Sequence, residues 1–117
     1  MNKNKALIYY KRDPMHGLTK DELVSKLRLK LSGRVNEAYF FGSITTDEMK
    51  TTSDVDMIIV QETSLPFFER VSEFEDLYDL VPGIDLIIYT PQEFKSLVED
   101  PTPGFWRSVA RTKEKII

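Results

Sequence analysis

Three aspartates stand where a charge is costly. Asp54 and Asp56 open the most hydrophobic run of the chain, Asp-Val-Asp-Met-Ile-Ile-Val, and Asp85 opens a second one, Ile-Asp-Leu-Ile-Ile-Tyr. Side chains two apart on a strand point to the same face, so Asp54 and Asp56 converge. If the two runs pair, Asp85 lies beside Asp56, on the face of Ile58 and Ile87. Three converging carboxylates repel, and burial raises their pKa values further. A divalent cation relieves both costs. A hard ion such as Mg²⁺ takes oxygen ligands, typically a few carboxylates together with substrate phosphates. Two such ions suit an in-line displacement at phosphorus.

Gly42-Ser43 supplies the complementary half. A glycine ending a strand lets backbone approach a ligand, and the N–H groups that follow it, opening a turn, suit phosphate. The Ser43 hydroxyl can add a hydrogen bond to the terminal phosphates. Gly-Ser alone is weak. Gly-Ser, a loop, Asp-x-Asp on a hydrophobic strand and a third strand aspartate together are much stronger. The plainer alternatives are a charged, exposed strand edge for Asp54 and Asp56, and a turn residue after Pro82-Gly83 for Asp85.

The elements that must position these residues are readable from periodicity. Thr19 with Glu22 forms a capping box, Leu23, Leu27 and Leu31 share a helix face, and Gly33 ends that helix. Ala38 to Phe41 reads as a short strand stopped by Gly42, followed by a turn over 43–53. Val55 to Val60 is apolar at nearly every position, the pattern of a strand buried on both faces. Pro66 opens a helix in which Phe67, Val71, Phe74, Tyr78 and Val81 keep helical spacing, with Phe67, Phe68, Phe74 and Tyr78 expected in the core. Glu69, Glu73, Glu75, Asp76 and Asp79 read as its solvated face. Ile84 to Tyr89 is a further strand, Thr90 to Glu93 a second capping box with Pro91 at the first helical position, and Phe105 to Thr112 a last helix. In that helix Trp106 packs inward, and Arg107 and Arg111 form a surface basic stripe. Ala6 to Tyr10 fits strand or helix equally, and His16 reads as incidental. The order suggests an α/β or, as the preferred class, an α+β fold: a small mixed sheet flanked by helices. The link from Phe41 to Asp54 is too short for a crossover helix, so those strands need not run parallel.

The chain has 117 residues, which suits one domain over 1–117, with 1–18 as an N-terminal extension. The absence of cysteine excludes disulfides and Cys-ligated zinc. The start lacks a signal-peptide pattern and no run reaches membrane length, so a soluble, cytoplasmic protein is expected. A formal net charge of −3 gives no field favouring nucleic acid.

The stretch FFGSITTDEMKTTSDVDMIIV, with GIDLIIYTPQEF downstream, resembles the minimal nucleotidyltransferases of the polymerase-beta-type superfamily. By that resemblance Gly42 and Ser43 contact the nucleotide phosphates, Asp54 and Asp56 ligate metal, and Asp85 completes the carboxylate set and orients or deprotonates an acceptor hydroxyl. Many relatives carry an Ala-Arg-Gly run where this chain reads Thr45-Thr46-Asp47; Lys50 is a candidate replacement for the arginine. Stand-alone relatives resemble antitoxins paired with helical ribonucleases of the HEPN type, and some adenylylate a tyrosine of that partner. The resemblance therefore implies ATP as substrate, two Mg²⁺ ions, and transfer of AMP to a hydroxyl of a partner protein. Two further readings stand beside it. One is a catalytically weak antitoxin that acts by contact; the other is a transferase acting on a small molecule or RNA ends, for which a homo-oligomer would have to supply the second half of the site.

Overall fold

The capping box at Thr19 is formed in both directions: the Glu22 amide donates to Thr19 Oγ1 at 3.1 Å and the Thr19 amide to Glu22 Oε1 at 2.9 Å. It starts α1 (Lys20–Leu31), whose Leu23, Leu27 and Leu31 are fully buried. Each such side chain contributes about 1.5–3 kcal/mol on leaving water. The computed structural model describes residues 14–46, 49 and 54–117. The Ala6–Tyr10 segment, Asp47 and Lys50 lie outside the described residues.

After α1 come β1 (Glu37–Phe41), a 3-10 turn (Gly42–Thr45), β2 (Val55–Val60), a 3-10 helix (Phe67–Phe74) continuing into α2 (Asp76–Leu80), β3 (Ile84–Tyr89), α3 (Pro91–Glu99), α4 (Phe105–Thr112) and β4 (Glu114–Lys115). Among the described residues the strands form one mixed sheet in the order β3-β2-β1-β4. β1 runs antiparallel to β2, as the short connection requires, and β2 runs parallel to β3. This is the α+β arrangement expected. One face of the sheet packs Val55, Met57 and Ile59 against α1 and against Phe74, Leu77 and Val81. The other packs Phe41, Ile58 and Val60 against Phe94 of α3 and Trp106 and Val109 of α4. β2 is thus covered on both faces. Residues 14–18, read from sequence as part of an extension, form a turn whose Met15 and Leu18 pack on the core; His16 Nδ1 lies 3.3 Å from the Leu80 carbonyl oxygen. Among the described residues no helix is long and apolar enough to cross a membrane.

Two elements differ from the sequence reading. β4 is too short and polar to signal itself; it exists because the edge of β1 accepts it, with the Ile116 amide donating to the Ala38 carbonyl at 2.8 Å. In the segment after Pro66 the buried stripe is Arg70, Phe74, Leu77 and Val81, while Phe67 and Phe68 are exposed. The core position expected for Phe67 is taken by Arg70, only 7% exposed. Its guanidinium donates to the Leu65 carbonyl (3.0 Å), the Ile88 carbonyl (3.1 Å) and Glu93 Oε1 (2.7 Å). Its hydrogen bonds are the first cause holding the Glu93 carboxyl below the usual range. Glu93 is also the capping-box residue of α3, with Oε1 accepting from the Thr90 amide at 2.8 Å. Arg70 therefore ties the 3-10 helix, β3 and α3 together. Arg70→Met is expected to cost about 2 kcal/mol in urea denaturation, because two carbonyls lose their donor and Glu93 its cation. Wild-type stability in that variant would show the network to be dispensable.

Candidate active site

The pairing of β2 with β3 sets Asp56 opposite Asp85 as Cα partners, one strand spacing apart, about 4.8 Å. On its other side Asp56 is the partner of Phe41, the last residue of β1. The chain then turns at Gly42, with φ +73°. A Cβ built there would lie 2.7 Å from Asp56 Oδ2, so the glycine backbone and the carboxylate are in close approach. Asp54 precedes β2 and is exposed, as is Asp85, whereas Asp56 is half-buried. Burial, then the negative charge of Asp85, then that of Asp54 push the Asp56 carboxyl up to about 6. The three aspartates and Gly42-Ser43, separated by up to 43 positions (42 to 85), therefore meet at one end of β2.

A family model described as Polymerase beta, Nucleotidyltransferase matches residues 25–114. The chain belongs to this nucleotidyltransferase family. No curated protein matches it. Among solved structures, it is similar to a candidate nucleotidyltransferase from Sulfolobus solfataricus at 20% identity and TM-score 0.47, over 62% of this chain and 66% of that one. It therefore spans just under two thirds of that protein's length. It is also similar to a toxin–antitoxin structure with AMP-PNP at 15% identity and TM-score 0.49, over 85% of this chain and 73% of that one.

Among the described residues no group of three His, Cys, Asp or Glu side chains forms a ready cage for a metal ion. The donor chemistry nevertheless fits a hard cation that takes one or two carboxylates and completes its shell with phosphate oxygens and water. Asp56 and Asp85 are side by side, and burial, then the charges of Asp85 and Asp54, raise the Asp56 pKa.

Three residues around the candidate site carry parts the sequence did not announce. Thr46 stands at the position of the expected arginine, and the hydroxyls of Thr45 and Thr46 close the turn: Thr45 Oγ1 donates to the Gly42 carbonyl at 2.8 Å and Thr46 Oγ1 to the Ser43 carbonyl at 3.2 Å. Thr112, on α4, accepts from the Gly42 amide at 3.1 Å and donates to the Ser108 carbonyl at 2.9 Å. The Gly42 amide is thereby engaged within the fold. No sequence signal marks Thr112, whose partner lies 70 residues away. Thr112→Val is expected to cost about 1 kcal/mol in a thermal melt and to raise the KM for nucleotide several-fold, with Thr112→Ser restoring both. A valine variant with unchanged KM would leave the bond a purely structural one.

Proposed function

We propose that residues 1–117 form a single cytoplasmic nucleotidyltransferase domain that binds ATP with Mg²⁺ and transfers AMP to a hydroxyl of a partner protein. The observation that carries this reading is the register that pairs Asp56 with Asp85 beside the Gly42 turn. Gly42 and Ser43 receive the triphosphate, and Asp54, Asp56 and Asp85 hold the metal. Bound magnesium, two ions in the full site, would neutralise phosphate charge and steady the in-line displacement. Asp85, exposed at the rim, orients the acceptor hydroxyl and accepts its proton as the new oxygen–phosphorus bond forms. The bond between the α-phosphorus and the bridging oxygen breaks, and pyrophosphate leaves. The family resemblance supports an antitoxin role toward a helical HEPN-type ribonuclease.

The test is incubation with labelled ATP, Mg²⁺ and the product of the neighbouring gene. Label is expected on that protein with the wild type and not with Asp54→Asn. No transfer by the wild type, or equal transfer by both, sinks the enzyme reading. A second reading, an antitoxin acting by contact alone, is favoured by Thr46 standing where the family resemblance leads one to expect an arginine. In that case an Asp54→Asn, Asp56→Asn double variant still neutralises the partner in cells.

A further inference from the structure

Phe68 is 89% exposed and Phe67 41%. With Val71, Tyr78, Leu86 and Ile88 they line a groove of about 290 Å³ along β3, an outer strand of the sheet among the described residues. The wall is rigidly mounted. Phe67 packs 5.6 Å from the Tyr89 ring and 5.6 Å from the Arg70 guanidinium, which is itself bonded to the Ile88 carbonyl. A large aromatic held in water on a fixed support is the usual mark of an anchor for another molecule.

Charge decides what that molecule is. From Phe67 to Asp85 the chain carries Glu69, Glu73, Glu75, Asp76, Asp79 and Asp85 against the single base Arg70. Arg70 is paired with Glu93, and Asp76 with Arg34. Glu69, Glu73, Glu75 and Asp79 remain exposed. A second copy of this chain would bring these acids against one another, a like-charge juxtaposition that opposes association. We infer that the groove docks a partner protein through an apolar segment flanked by lysine or arginine. The groove also runs toward Asp85: its lining residue Leu86 follows Asp85 on β3, and Tyr78, which also lines it, has its hydroxyl pKa raised by burial and by the charge of Asp85. The docking stands on this geometry alone; that it carries an acceptor hydroxyl toward Asp85 rests on the proposed function.

The experiment measures fluorescence anisotropy of a fluorescein-labelled leucine–lysine amphipathic peptide and of its leucine–glutamate counterpart on the full chain. The lysine peptide should bind, more weakly at high salt, and the glutamate peptide should not. Phe68→Ser should weaken binding about tenfold or more, while Leu29→Ser, at an 84% exposed leucine on α1, should not. A thermal melt checks that Phe68→Ser stays folded. Equal affinity of Phe68→Ser and wild type, or equal binding of both peptides, overturns the inference. So does a wild-type dimer in sedimentation that Phe68→Ser dissociates, since the occupant would then be a second copy. Binding should persist in the Asp54→Asn, Asp56→Asn variant. Its loss there would place the peptide on the carboxylates and overturn the groove; peptide binding by a wild type that shows no transfer activity supports the groove while counting against the transferase reading.

Discussion

Gly42→Ala is expected to slow nucleotidyl transfer by up to about a hundredfold and to lower the melting temperature by about 10 °C. Two costs add at this position. The backbone sits at φ +73°, where an L-residue loses roughly 1–2 kcal/mol. The new methyl group would also lie 2.7 Å from Asp56 Oδ2, with the carboxyl carbon and Cβ of Asp56 at 3.6 and 3.8 Å. Neither neighbour gives way freely. Gly42 is held by Thr112 and by Thr45, and Asp56 is locked between β1 and β3. The turn and the carboxylate must therefore part by several tenths of an ångström. A displacement approaching 1 Å in an aligned site costs about a hundredfold in rate. Gly42→Asn separates the two costs. Asparagine tolerates positive φ, so it should recover part of the stability and none of the activity. Melting curves and labelled-nucleotide transfer decide the matter. An alanine variant with wild-type turnover would show that the close approach is unimportant.

What was legible in the sequence was what local pattern determines. Thr19 with Glu22 and the leucines at 23, 27 and 31 announce α1, because capping and a four-residue repeat involve only near neighbours. The unbroken run Val55–Val60 announces a doubly covered strand. The Asp56–Asp85 pairing was legible only conditionally, since strand register is a tertiary property, yet equal offsets of both aspartates from their apolar runs made it readable. What was not legible depended on distant partners. Glu114–Lys115 forms a strand because β1 has an edge to offer. Arg70 enters the core because two carbonyls and Glu93 receive it, and Phe67 and Phe68 are displaced outward as a result. Of the residues expected in the core there, Phe74 and Val81 are buried, whereas Phe67 and Phe68 form an exposed aromatic wall.

Asp56→Asn is expected to make the protein more stable above pH 6 while removing its activity. In the folded chain the Asp56 carboxyl titrates at about 6 rather than the ordinary 3.8, chiefly through burial and then through Asp85 and Asp54. Between those values the folded state holds a proton that the unfolded state has released. Stability therefore falls as pH rises from about 4 to 6, and stays lower above that range. The full shift corresponds to roughly 3 kcal/mol. Because Asp56 is only half-buried, solvent screening reduces this to about 1 kcal/mol. Asparagine has no proton to lose, so the variant should lack this decline, and the wild-type-minus-variant difference isolates it from other titrating groups. Turnover should fall by about two to three orders of magnitude, the scale of losing one electrostatic contact to the transition state. Mg²⁺ with nucleotide should raise the wild-type melting temperature above pH 6 and flatten its slope, because a cation removes the repulsion that favours the proton. EDTA should reverse that gain, and the asparagine variant should respond to neither. A wild type whose melting temperature is flat from pH 4 to 7, or an asparagine variant less stable than wild type at pH 8, would contradict the raised pKa of Asp56 and its cost to the folded state.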